Sequence, residues 1–192
     1  MEKPAATRRQ FLIRSLTGAS SLWLGTHWPA ILAAHEHARQ AAESGQPANF
    51  EFFAPEQAAD IEAMAAQIIP TDETPGAREA RVIYFIDRAL TSFDRDQQPL
   101  YIQGLQDLLT KTRELFPNAG KFSDLSTLHQ IQVLTAMEKT DFFRYVRLHT
   151  IMGFLANPEY GGNHEQIGWK LIGFADEHSY QPPFGYYDAE AE

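Results

Sequence analysis

The side chains that could do chemistry in this chain are scattered. The seven histidines are His27, His35, His37, His129, His149, His164 and His178. A helical di-iron site would need Glu-x-x-His on two helices, and no glutamate here has a histidine three residues on. His-Glu-x-x-His, Gly-x-Ser-x-Gly, Gly-x-Gly-x-x-Gly and Gly-x-x-x-x-Gly-Lys are also absent. Zincin, nucleophile-elbow, dinucleotide and P-loop chemistry therefore lack their fingerprints. His35 and His37 read as solvated linker, and His129 and His149 as packing residues on helices. His164 follows a glycine turn and could face a partner. Asp176-Glu177 reads as a solvated face. There is no cysteine, which excludes disulfides, covalent c-type haem, cysteine-held iron–sulfur or zinc sites and a cysteine nucleophile. No catalytic, cofactor-binding or metal-ligating residue is nominated.

One short motif does carry a mechanism. Thr7-Arg8-Arg9-Gln10-Phe11-Leu12 lies in a basic head, and no charged residue follows from Ser15 to Ala34. Arg8 and Arg9 followed by Phe11 and Leu12 form a twin-arginine export signal, an address read by a receptor. Thr17, Gly18, Ser20, Ser21, Gly25, Thr26 and His27 dilute the apolar run, which suits that route better than the general secretory one. Cleavage fits best after Ala34, although Leu32 stands where a small residue is preferred; retention as an anchor stays open beside it. Residues 1–34 hold four basic side chains and one acidic. Of the formal −9 of the whole chain, the remaining 158 residues therefore carry −12. An acidic domain of this size can bury a core and has no field for nucleic acid.

Two loops stand out. Ile68-Ile69-Pro70-Thr71-Asp72-Glu73-Thr74-Pro75-Gly76-Ala77-Arg78-Glu79 puts a proline stop, a polar turn and a proline-glycine restart between two helices. The plain reading is a connector that sets a crossing angle. The second is Asn157-Pro158-Glu159-Tyr160-Gly161-Gly162-Asn163, followed by Gly168-Trp169-Lys170-Leu171-Ile172-Gly173-Phe174. Adjacent glycines permit positive φ or close backbone approach. Trp169 reads equally as a buried anchor or as an interface residue.

The elements that must hold these loops are helical. Pro55 opens a helix through Ile61, Met64, Ala65, Ile68 and Ile69, stopped by Pro70. A second is expected from about Gly76 to Phe93, a third from Gln97 to Phe116, and a fourth after Ser123 or Ser126. A fifth is expected from an Asp141 cap to Leu155, with a short turn or two near Gln166–Ile172. No stretch alternates at period two. The expectation is an all-α fold: signal 1–34, flexible leader 35–51, one compact domain of about five helices over 52–175, and an extended aromatic arm over 176–192.

Ile-Ile-Pro-Thr-Asp-x-Thr-Pro-Gly-Ala at 68–77, Pro-x-Tyr-Gly-Gly-Asn at 158–163 and Gly-Trp-x-x-Ile-Gly-Phe at 168–174 occur in that order. In these motifs the chain resembles the gluconate 2-dehydrogenase subunit 3 family, over roughly residues 52–175. The resemblance implies a small gamma subunit of a periplasmic, inner-membrane-associated sugar or polyol dehydrogenase. The partner it implies is a large FAD-containing subunit of the glucose–methanol–choline (GMC) oxidoreductase type. A multi-haem cytochrome c, with haem c, stands as a third subunit. The cofactors would belong to the partners, and the small subunit would carry the export signal for the folded, FAD-loaded flavoprotein through the twin-arginine translocase. Some relatives are disulfide-linked to the large subunit; this chain, without cysteine, cannot be.

The resulting expectation is a non-catalytic escort and structural subunit. Its partner surface is placed at Pro70, Thr71, Pro75, Gly76, Arg78, Tyr160, Gly161, Gly162, Asn163, Trp169, Tyr186 and Tyr187. Two alternatives stand beside it. The chain could help wall the partner's substrate pocket, or it could be a stand-alone exported helical binding protein.

Overall fold

The computed structural model describes residues 50–177. Arg8, Arg9, Phe11, Leu12, Tyr186 and Tyr187, with most of the leader and of the C-terminal arm, lie outside the described residues. Among the described residues there are six α-helices and no strand. They are α1 (Pro55–Ile68), α2 (Val82–Thr91), α3 (Gln98–Leu115), α4 (Thr127–Met137), α5 (Asp141–Leu155) and α6 (Ile167–Ile172). The all-α expectation is met, and the segment near Gln166–Ile172 is a sixth helix in its own right.

Local chemistry explains most boundaries. Pro55 sits in the first turn of α1, where its missing N–H costs nothing. The Gln57 side chain reaches back to accept the Ala54 N–H at 2.9 Å. Ser126 is the N-cap of α4. At α5 the cap is Thr140, whose hydroxyl accepts the Phe143 N–H at 3.2 Å. Asp141 is instead the first helical residue, where its charge suits the helix dipole.

The second helix starts later than its apolar pattern suggests. The chain turns from Ala77 to Arg81, and Arg81 takes a left-handed conformation (φ 52°) as the N-cap of α2. A single left-handed residue reverses the local winding, so no helix runs through it. The turn closes on itself, the Val82 N–H donating to the Ala77 carbonyl at 3.1 Å.

Packing is organised around α5, which lies against α1, α2, α3 and α6. α1 also packs on α2 and α4, and α3 on α4. The centre is filled by Ile61, Met64, Ile86, Leu90, Leu108, Val133 and Phe154, all essentially without solvent exposure. Tyr101 packs edge-on against Phe142, ring centroids 5.6 Å apart, and joins α3 to α5. No described helix is long and apolar enough to cross a membrane.

One buried carboxylate fixes how the chain enters this bundle. Asp87 on α2 is 3% exposed. It accepts three successive backbone N–H groups, from Glu51 at 2.7 Å, Phe52 at 3.1 Å and Phe53 at 3.0 Å. Phe50 stacks on Tyr84 one helical turn away, at 5.2 Å. A buried carboxylate is tolerated only with such donors. Asp87→Ala leaves those N–H groups without their acceptor and is expected to cost about 1–3 kcal/mol. Urea unfolding measures that loss, and limited proteolysis should show faster cutting near Phe53. Unchanged values in both would refute the tether.

Candidate functional site

The first motif loop folds tightly onto itself. The Ala77 N–H donates to the Ile69 carbonyl at 2.8 Å, so the two ends of the loop meet. Gly76 lies in that crossing. A Cβ there would stand 2.5 Å from the Ile69 oxygen and 2.7 Å from the Thr71 nitrogen, so only glycine fits. Glu79 then ties the loop from the far side. Its carboxylate accepts the Thr71 hydroxyl at 2.8 Å and the Gly76 N–H at 2.8 Å. Asp72 accepts the Thr74 N–H at 3.0 Å within the turn. The result is a preformed knuckle with Pro70, Thr71, Pro75 and Arg78 exposed and Gly76 and Ala77 buried. Arg78 reaches Glu62 on α1 at 3.4 Å in solvent, a pair of little energetic weight.

The second motif closes the C-terminal end of α5. The last carbonyls of a helix have no partner within it. Here the Leu155 carbonyl accepts the Trp169 indole N–H at 2.8 Å, and the Ala156 carbonyl accepts the Asn163 amide at 2.8 Å. The other end of the Asn163 amide accepts the Gly168 N–H at 2.7 Å. Asn163 is fully buried and left-handed (φ 46°), a conformation asparagine tolerates better than most residues. The glycines allow the approach. A Cβ on Gly162 would lie 2.1 Å from the Gly153 oxygen, and one on Gly168 1.8 Å from the Phe154 oxygen. Trp169 is 9% exposed and meets Phe174 edge-on at 5.1 Å.

The two motifs are neighbours in space. The His164 N–H donates to the carbonyl of Ala80, just past the first loop, at 3.1 Å. Arg88 on α2 reaches the Glu159 carbonyl at 3.4 Å. Of the residues assigned to a partner surface, Pro70, Thr71, Pro75 and Arg78 are open to solvent, and Tyr160 and Gly161 are half-buried. Gly76, Gly162, Asn163 and Trp169 are buried within the chain. For Trp169 the choice between anchor and interface residue falls to the anchor. His164, half-exposed, has Glu165 as its nearest charged neighbour, 3.7 Å away.

A third cluster was invisible in the sequence. Asp94, Tyr101 and His149 are all buried and form one line. His149 Nε2 lies 2.7 Å from the Asp94 carboxylate, and Nδ1 lies 2.8 Å from the Tyr101 hydroxyl. A proton on Nε2 satisfies both partners, because the carboxylate can only accept and the tyrosine can donate; the tautomer is assigned from this network. Phe85 and Tyr145 pack edge-on against the imidazole. The order acid–imidazole–hydroxyl resembles a nucleophilic triad. However, burial, and then the charge of Asp94, push the Tyr101 hydroxyl well above the ordinary tyrosine range. Tyr101 and His149 are both without solvent exposure, so no substrate reaches the hydroxyl. The line therefore ties the α2–α3 connection, α3 and α5 together. Nothing marks it in sequence, since its partners are 48 and 55 residues apart. Among the described residues no group of three His, Cys, Asp or Glu side chains is placed to hold a metal.

Two outcomes are expected from these sites. His149→Leu strands the buried Asp94 carboxylate and should cost about 3–5 kcal/mol in urea unfolding, while pairing it with Asp94→Leu should recover much of the loss. A double variant no more stable than the single one would show that the buried carboxylate is not the source. At Glu79, partial burial raises the carboxyl, but the Thr71 hydroxyl and the backbone N–H groups of Glu79 and Gly76 outweigh it, with Arg78 adding to them. The folded-state pKa is thus lowered. The tie is complete above the unfolded value of about 4.3 and is lost as pH falls below it through the folded value. The Gly76 amide resonance should titrate with a midpoint below that of an unfolded glutamate; a midpoint at or above it would contradict the tie.

Comparison with known proteins adds one match. The family model described as gluconate 2-dehydrogenase subunit 3 matches residues 55–176, from the start of α1 to past the end of α6. No curated protein and no solved structure matches the chain at a significant level. The match spans well over half of the chain and contains both motif loops, so this protein belongs to the gluconate 2-dehydrogenase subunit 3 family and is by membership a subunit of a dehydrogenase complex.

Proposed function

We propose that this chain is the non-catalytic small subunit of a periplasmic, FAD-dependent sugar or polyol dehydrogenase and escorts the flavoprotein through the twin-arginine translocase. The observation that carries this reading is the order of two parts in one chain. A twin-arginine motif at Arg8, Arg9, Phe11 and Leu12 precedes a domain of the subunit 3 family. An address that admits folded cargo makes physical sense for a partner that must bind FAD before it crosses. The knuckle and the α5 clamp support a holding role, because both are rigid, internally bonded shapes. On this reading FAD sits in a large subunit of the glucose–methanol–choline type, haem c in a cytochrome subunit, and the assembled complex rests on the periplasmic side of the inner membrane.

Replacing both Arg8 and Arg9 by Lys tests it in the host cell. The flavoprotein should accumulate in the cytoplasm with its FAD, and periplasmic dehydrogenase activity should disappear. Activity at the wild-type level outside the inner membrane would sink the escort reading.

A further inference from the structure

The large apolar side chains left exposed among the described residues are Ile102, Leu115, Leu128, Ile131, Leu148 and Phe174. Ile102 and Leu148 stand on α3 and α5, and Phe174 covers Trp169. Leu128 (65% exposed) and Ile131 (46%) differ from these, because they lie one turn apart on α4. Helical neighbours at this spacing share a face. That face continues into an open cleft of about 280 Å³ between α4, the end of α1 and the first half of α5. Ile68, Ile131, Leu134 and Phe143 line it together with the charged Glu138 and Arg147.

We propose that this α4 face and cleft are the docking surface for the FAD-containing subunit, which lays apolar side chains against it. The inference rests on the escort reading above. Three observations select that occupant. Family membership makes the chain a subunit of a dehydrogenase complex, so a protein partner is required. The cleft carries one charge of each sign, and the chain is acidic at −9. An anionic bilayer and a second copy of this chain both meet net repulsion, whereas an apolar patch with mixed charges around it is the anatomy of a protein–protein interface. Finally, Gly162, Asn163 and Trp169 are spent inside the fold and do not themselves offer a docking surface.

The test uses the tagged full-length chain in its own host. The wild type should co-purify with a flavoprotein identified by its FAD absorbance and sequence. Leu128→Asp together with Ile131→Asp should weaken binding of that purified flavoprotein at least about tenfold, as loss of two central apolar contacts does. Both side chains are exposed, so the melting temperature should hold; if it falls, the Leu128→Ser/Ile131→Ser pair must give the same loss without melting early. Ile102→Asp, on α3, should bind like the wild type. Wild-type affinity in the folded α4 variants overturns the proposal. So does intact flavoprotein binding in variants that instead lose binding to anionic phosphatidylglycerol vesicles or lose self-association. A wild type that brings down no flavoprotein overturns the escort reading itself, and the docking face with it.

Discussion

The end of α5 must find donors for its last carbonyls, and much of the architecture follows from that need. α5 packs against four other helices, and its end is partly buried. The Leu155 and Ala156 carbonyls take the Trp169 indole and the Asn163 amide. For those donors to arrive, the chain must double back within a few residues. That requires the left-handed Gly161 and Asn163 and the bare backbones of Gly162 and Gly168. α6 exists because the return path ends against α5, and the bond from His164 to Ala80 carries the constraint on to the first loop.

This dependence changes the meaning of the motifs. The residues that mark the family are largely those that close the fold. Glycine-rich turns and a tryptophan invite a functional reading, since loops often carry function. In this chain the same features answer a hydrogen-bonding problem. The proposed docking face lies where nothing unusual stands in the sequence, on a helix face whose apolar residues remain exposed.

Buried charge plays a comparable organising part. Asp87 gathers three backbone N–H groups where the chain enters the bundle. Asp94 holds His149, and His149 holds Tyr101. Each carboxylate is buried at a cost that only directed donors offset, so each favours a single arrangement of the elements it joins. Such groups specify geometry more than they add stability. They suit a protein whose proposed task is to present a fixed shape to another subunit.

The helices were legible because their signals are local. Pro55, Ser126 and the recurrence of Ile61, Met64 and Ala65 act within one or two turns, and the family motifs are runs of ten residues or fewer. The start of α2 was misread because Val82, Phe85 and Ile86 supply helical spacing while a left-handed Arg81 leaves no mark in composition. Whether Trp169 faced inward, whether Asn163 was exposed, and that Asp94 meets His149 were all decided by packing. These contacts join residues between 5 and 55 positions apart, and the angles between helices bring them within 3 Å. The sequence by itself thus determined the helical class and the family. Only the tertiary structure decided which motif residues are spent on the fold and which helix face is left open, because burial belongs to the packed chain and not to any segment of it.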